Sequence, residues 1–198
     1  GMSETPLKFD LPPGFNLNFR MIGIAVLIVF AIGGVLSAVY TVPAESIGVV
    51  MRFGKAVNEV EPGLRFKLPY KIDRVIRVPV KRQLKQEFGF ATPNASNPTQ
   101  GATDPTRETL MVTGDLNSAL VEWILQYRIV RPTEYLFNVR GPGETLRDVS
   151  ESIMREVVGD RTVDEVITIG RQDIEAQALA KMQDLVNKYE LGLTIEQV

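Results

Sequence analysis

Residues 21–40 read MIGIAVLIVFAIGGVLSAVY, and this stretch decides how the rest of the chain is organised. It contains no charged residue, and 16 of its 20 positions are hydrophobic. A helix rises about 1.5 Å per residue, so twenty residues reach across roughly 30 Å, the thickness of a bilayer's hydrocarbon core. We therefore predict one transmembrane helix at residues 21–40, with Met21, Leu27, Phe30 and Tyr40 as membrane-anchor residues.

The residues on either side of this stretch bear on its role and orientation. A cleaved signal peptide is the main alternative, since Val42-Pro43-Ala44 loosely resembles a cleavage box. The apolar part of a signal peptide is normally about 7–15 residues long and follows a short basic segment. Here a polar-leaning tail at residues 1–20 precedes a longer stretch, which favours an anchor. Lys8 and Arg20 lie before the stretch, and this bias predicts a cytoplasmic N-terminus.

The chain has no cysteine and no histidine, and these two absences exclude many kinds of site. Disulfides, Cys-ligated or His-ligated metals and Ser-His-Asp catalysis are all ruled out. A carboxylate site or a Ser-Lys catalytic dyad is still possible. The candidate residues for such a dyad are Ser118, Ser150, Ser152, Lys181 and Lys188. Serines in helices and turns are usually caps or surface residues. We therefore predict no catalytic residue, no cofactor and no metal.

Beyond the apolar stretch, the hydrophobic pattern becomes strand-like. We predict strands at residues 47–53, 64–68 and 72–80, the last of them at a sheet edge because it contains Pro79. The strongest strand is predicted at 119–129. One face of that strand carries Val121, Trp123, Leu125, Tyr127 and Ile129. Residues 109–113 are its predicted hairpin partner, joined through Gly114-Asp115.

The pattern changes to helical spacing near residue 133. A short helix is predicted at 133–139 and a longer one up to Gly159, whose apolar stripe is Leu146, Val149, Ile153 and Val157. Thr162 and Glu165 form a capping-box pattern that begins another helix. A final helix ends at Gly192, and its stripe is Ile174, Ala178, Met182, Leu185 and Tyr189. Strands followed by helices predict an α+β fold, and the proline-containing segment 91–107 is predicted to be a mobile loop.

Charge is distributed unevenly along the chain. Residues 48–90 carry 10 Lys/Arg against 4 Asp/Glu, whereas residues 143–198 carry 6 against 12. These could be ordinary solvated faces, or complementary faces of neighbouring copies packed head to tail. The basic strands could also lie against anionic lipid head groups. The predicted oligomer or lipid surface comprises Arg65, Lys67, Arg74, Arg77 and Lys81 on the basic side and Glu151, Glu156, Asp164 and Glu165 on the acidic side.

Several motifs occur in the order found in a known superfamily. Residues 40–55 read YTVPAESIGVVMRFGK, 61–64 read EPGL, and 110–115 read LMVTGD. Residues 135–139 read YLFNV and 161–167 read RTVDEVI. Together these motifs resemble the prohibitin/stomatin superfamily (SPFH, band 7), and they are most similar to its HflK branch.

This resemblance implies a non-enzymatic scaffold in the bacterial inner membrane. It implies an SPFH domain at residues 41–198 on the periplasmic side, an HflC-like partner in a ring, and modulation of the membrane protease FtsH. The family continues into a helical coiled coil, which is absent from this chain up to Val198. The alternative is a stomatin-like organiser of membrane lipid domains. No nucleic-acid partner is expected, since the net charge is only −2.

Overall fold

The described part of the chain begins two residues before the predicted anchor. The computed structural model describes residues 19–69, 72–89, 109–168 and 170–198. The predicted mobile loop at 91–107 lies outside the described residues, as do residues 1–18 of the predicted tail. Helix α1 (Phe19–Ala38) starts and stops two residues before the predicted span at 21–40. It is long and apolar enough to cross a membrane.

Five strands follow α1 and form two small antiparallel sheets. Their bounds are β1 (Val39–Val42), β2 (Ser46–Arg52), β3 (Lys55–Val60), β4 (Gly63–Phe66) and β5 (Asp73–Pro79). Strand β1 pairs with β4, while β2 lies between β3 and β5. The predicted strands correspond to β2, β4 and β5, and Pro79 does lie at an edge. Strands β1 and β3 were not predicted.

The next five strands build the other half of the domain. Their bounds are β6 (Leu84–Phe88), β7 (Leu110–Val112), β8 (Ser118–Leu120), β9 (Trp123–Ile129) and β10 (Leu193–Gln197). The predicted hairpin through Gly114-Asp115 is confirmed as the β7–β8 pair. The single strand predicted at 119–129 is wrong, since it divides into β8 and β9. The division follows from pairing, because β9 leaves the hairpin and lies between β6 and β10.

Four helices complete the domain in the described part. Their bounds are α2 (Pro132–Phe137), α3 (Pro142–Gly159), α4 (Val163–Ile167) and α5 (Gly170–Lys188). The predicted apolar stripe of α3 is buried throughout. The capping box is also confirmed, because the Glu165 amide donates to Thr162 Oγ1 and the Thr162 amide donates to Glu165 Oε2. Tyr189 was wrongly placed in the α5 stripe: it is 49% exposed, and Val186 is buried instead.

One hydrophobic core joins the two halves and confirms the α+β class. The inward face of β9 packs with α3 and α5, and the same cluster includes Val49 of β2 and Val78 of β5. Phe88 stacks on Trp123 with ring centroids 4.3 Å apart. The Trp123 indole N–H donates to Ser150 Oγ at 2.9 Å. This shared core fixes the surfaces of both halves relative to each other.

Candidate interaction surfaces

The outer surface of α1 is apolar around its whole circumference. Met21, Leu27 and Phe30 are all exposed, and Gly34 is the buried residue of this helix. Tyr40 lies beyond the helix in β1, where it pairs with Arg65 of β4. A helix that is apolar on every side needs an apolar environment around it, such as a bilayer or other protein.

Two of the predicted basic residues lie beside the end of α1. The Lys67 amide donates to the Ala38 carbonyl oxygen at 2.8 Å, and Lys67 Nζ lies 5.9 Å from the centroid of the Tyr40 ring. Arg65 forms an ion pair with Glu61 at 3.7 Å. The β1–β4 pair therefore follows directly after the helix, and Arg65 and Lys67 give it positive charge next to the C-terminal end of α1.

A buried carboxylate at the start of β5 binds Arg52 of β2 and the Leu68 amide, and the sequence analysis did not identify it. Asp73 is 4% exposed and accepts hydrogen bonds from Arg52 at 2.8 and 3.0 Å. It also accepts one from the Leu68 amide at 3.0 Å. The Arg52 hydrogen bonds, helped by that amide, hold the pKa of Asp73 below its ordinary value despite burial. The sequence signal that could have identified Asp73 is that it is a single aspartate at the start of a strand with an apolar pattern.

We expect Asp73→Asn to lower the thermal stability of the full chain near neutral pH, because the bond to Arg52 loses its charge. A carboxyl whose folded pKa is depressed stabilises the fold above its unfolded pKa, about 3.9, and that contribution disappears as pH falls through the folded value. The difference in unfolding midpoint between wild type and variant should therefore shrink below about pH 4. Calorimetry across this range measures it. A difference independent of pH would contradict the assignment.

Three other predicted basic residues are available for outside partners. Arg74, Arg77 and Lys81 are exposed, and none of their side chains has a hydrogen bond or ion pair within the part of the chain that the structure describes. Their neighbour Arg82 is instead within 3.9 Å of Glu45. We call these three residues the β5 cations; Arg74 and Arg77 lie on opposite faces of β5, and Lys81 follows the strand.

Most of the predicted acidic residues already have partners in the same chain. Glu151 binds Arg155 at 2.8 Å within α3, and Glu156 binds Lys181 of α5 at 2.6 Å. The Thr162 backbone and side chain bind Glu165, and these hydrogen bonds hold the pKa of Glu165 below its usual value. Asp164 is exposed and has no such partner among the residues described. The acidic group is therefore divided into one available and three engaged side chains.

Two of the five side chains suggested for a Ser-Lys enzyme are bound to other groups. Ser150 is fully buried, and its hydroxyl accepts the Trp123 indole N–H. Lys181 is bound to Glu156. Across residues 19–69, 72–89, 109–168 and 170–198, no group of three or more carboxylates is arranged to hold a metal ion.

Known proteins resemble this chain over most of its length. Curated relatives include Protein HflK of Treponema pallidum, 36% identical over 83% of this chain and 51% of the relative. Protein HflK of Borreliella burgdorferi is 30% identical over 96% of this chain and 60% of the relative. Modulator of FtsH protease HflK of Escherichia coli is 32% identical over 92% of this chain and 39% of the relative. The chain thus spans about half the length of the first two relatives.

The family assignment agrees with the architecture described above. The profile of the SPFH domain / Band 7 family matches residues 40–198, which begin in β1 and continue through β10. This match covers both halves of the domain and the core that joins them. The chain therefore belongs to the SPFH domain / Band 7 family.

Proposed function

We propose that this protein is a non-enzymatic membrane scaffold that oligomerises with an HflC-like homologue and modulates an FtsH-type membrane protease. The observation that carries the proposal is the match to relatives named HflK, one of them named a modulator of FtsH protease. We further propose that α1 anchors the protein in the bacterial inner membrane. In this topology the N-terminus is cytoplasmic and the domain is periplasmic.

Three features of the domain support a role based on assembly. The apolar helix α1 leads directly into β1, and the Lys67 amide donates a hydrogen bond to its last residue, Ala38. One core joins the two halves of the domain and fixes their surfaces relative to each other. The β5 cations, Arg74, Arg77 and Lys81, are free to bind a neighbour, a protease or lipid.

Charge reversal tests the oligomeric part of this proposal in the whole protein. We expect the combined change Arg74→Glu, Arg77→Glu and Lys81→Glu to reduce large complexes extracted in mild detergent, because opposite charges across an interface become like charges. Native electrophoresis and light scattering measure the loss. The matched control is Lys55→Glu, Arg140→Glu and Lys188→Glu, which makes the same charge change at exposed positions elsewhere. Monomers from the wild-type protein co-expressed with its homologue would contradict the proposal.

Protease modulation needs a separate measurement. Removing the protein from cells should change the half-life of membrane substrates of the FtsH-type protease, and restoring the wild type should reverse that change. The charge-reversed protein should restore it less well than its control. Unchanged substrate half-lives would contradict the proposed modulation of the protease, but not the proposed scaffold.

A stomatin-like organiser of lipid domains is the second candidate. It is favoured by the exposed apolar side chains Leu64, Phe66 and Leu68, which lie beside Arg65 and Lys67 near the end of α1. Lateral clustering of anionic lipid would follow from this candidate, with an effect that rises with anionic lipid content and falls with salt. Fluorescence quenching between labelled anionic lipids in reconstituted vesicles distinguishes it from the first candidate.

A further inference from the structure

Strand β10 lies at one edge of the sheet that it forms with β9 and β6. Its inner side pairs with β9, where Leu193 lies opposite Ile129 and Ile195 lies opposite Tyr127. The outer side of an edge strand carries N–H and C=O groups without a strand partner, and such a row of groups can pair with another chain. The outer backbone groups of β10 therefore need partners of a different kind.

One side chain of helix α5 supplies these partners. The Ile195 amide donates to Gln183 Oε1 at 2.7 Å, and Gln183 Nε2 donates to the Leu193 carbonyl oxygen at 3.5 Å. Gln183 Nε2 also donates to Asn187 Oδ1 at 2.9 Å, one turn further along α5. The carboxamide oxygen thus faces an N–H group and the carboxamide nitrogen faces two acceptors, which fixes the orientation of the group.

The Gln183 carboxamide reproduces the chemistry of a backbone peptide group. The Leu193 carbonyl needs a donor and the Ile195 amide needs an acceptor, and a neighbouring strand would provide both. A carboxamide carries a donor and an acceptor in one planar group, as a peptide does. Gln183 therefore occupies the positions through which a further strand would pair with β10.

Burial explains why these backbone groups require a partner. Leu193 and Ile195 are 1% and 4% exposed, and a buried N–H or C=O group without a hydrogen bond lowers stability. The residues Met182 and Val186 of α5 are fully buried in the same core. Because these two neighbours anchor the helix, Gln183 is held in place beside the strand.

The last part of the outer edge is protected in another way. The pairing register shifts between Ile195 and Gln197, so Glu196 lies in a β-bulge. The Glu196 carboxylate binds Arg128 at 2.9 Å and accepts a hydrogen bond from Gln83 Nε2 at 2.8 Å. Bulges and charged side chains are common means of preventing strand addition at a sheet edge. The regular part of β10, before the bulge, is the part that Gln183 covers.

We propose that Gln183 is an edge guard, a side chain that closes residues 193–195 of β10 to a further strand. The kind of partner that fits this edge once the carboxamide is removed is an extended peptide segment. The reason is that the edge would then offer a backbone acceptor and a backbone donor on alternate residues, which is what an added strand recognises. The guard belongs to the fold itself, since α5 directly precedes β10 along the chain.

Hydrogen exchange of the full chain in detergent, followed by NMR, tests the contact itself. We expect Gln183→Ala to speed exchange of the Ile195 amide at least about tenfold, because alanine preserves the helix and removes the acceptor. Gln183→Glu keeps an acceptor oxygen and should leave the exchange rate near that of wild type. The matched control is Gln177→Ala, at an exposed position earlier in α5. An unchanged Ile195 exchange rate in Gln183→Ala would overturn the proposal.

A labelled peptide with the sequence of β9, residues 123–129, tests whether the opened edge accepts a strand. This sequence already pairs with the inner side of β10, so it suits the strand as a probe. Fluorescence anisotropy should show at least about tenfold tighter binding to Gln183→Ala than to wild type. A peptide of the same composition in scrambled order measures non-specific apolar binding. Equal binding of the β9 peptide by Gln183→Ala and wild type would show that the carboxamide is not what closes the edge.

The glutamate variant separates an open edge from a general loss of stability. Binding by Gln183→Ala but not by Gln183→Glu supports the edge guard, since glutamate retains an acceptor for Ile195 and adds a charge at the edge. Binding by the Gln177→Ala control, or equal binding by both Gln183 variants, would indicate general loosening and overturn the proposal. Unfolding midpoints of all three variants complete the comparison. These outcomes are independent of the proposed scaffold function, which has its own tests.

Discussion

Trp123→Ala is expected to lower the free energy of unfolding by about 3–5 kcal/mol, a large part of the 5–15 kcal/mol that stabilises a typical domain. The loss has two sources. The indole ring is almost fully buried and stacks on Phe88 at 4.3 Å, so truncation leaves a cavity in the core that joins both halves. Truncation also removes the donor bound to Ser150 Oγ at 2.9 Å, leaving a buried hydroxyl without that partner.

Urea unfolding of the full chain in detergent, followed by far-UV circular dichroism, measures this loss. Ser150→Ala separates the two sources, because it leaves the indole in place and costs about 1–3 kcal/mol for the unpaired N–H. Combining Ser150→Ala with Trp123→Ala should then add little, since the two side chains share one interaction. Full additivity of the two changes would show that the hydrogen bond contributes nothing.

Gly192→Ala is expected to destabilise the domain by more than the roughly 1–3 kcal/mol typical of a non-glycine residue held in the left-handed region. Gly192 has a φ of 66° at the turn from α5 into β10. A Cβ there would overlap the Arg131 carbonyl oxygen and lie 3.0 Å from the Tyr135 amide nitrogen. The same turn accepts the Val130 and Arg131 amides at its carbonyl oxygen, so it cannot shift without breaking the junction of β9 with α2.

Gly54→Ala is the matched control for this prediction. Gly54 has a φ of 81°, but a Cβ at that position has no neighbouring atom within 4 Å. Its substitution therefore reports the backbone strain alone, and the difference between the two variants reports the overlap at Gly192. Thermal and urea unfolding of both variants measure that difference. Equal destabilisation by the two substitutions would mean that the β9–α2 junction can shift to accommodate the added Cβ with little loss of stability.

The elements that were predictable from sequence are those whose burial follows one clear period. Strand β9 and helix α3 each have one face toward the core, so alternation and the Leu146–Val157 stripe identified them. The capping box was also visible, because both of its partners lie within four residues of sequence. Local signals of this kind require no knowledge of distant segments.

The missed strands either lack an apolar pattern of their own or pair with a strand that is distant in sequence. Strand β3 exposes nearly every side chain and exists because its backbone pairs with β2. Strand β6 contains buried Gln86 and Glu87, which an apolar pattern search passes over. Strand β1 continues the apolar composition of α1, and its pairing with β4 begins directly after the helix ends at Ala38.

The sequence by itself determined an apolar helix, an α+β domain, the family and two blocks of opposite charge. Only the tertiary structure decided which of those charges are available. The side chains of Glu151, Glu156 and Glu165 are bound within the chain, while those of Arg74, Arg77 and Lys81 have no partner in the described residues. The pairing register of β7 and β8 likewise puts the exposed side chains of Leu110 and Leu120 side by side. The physical reason is that composition counts side chains, whereas contacts between distant residues decide which of them are already satisfied.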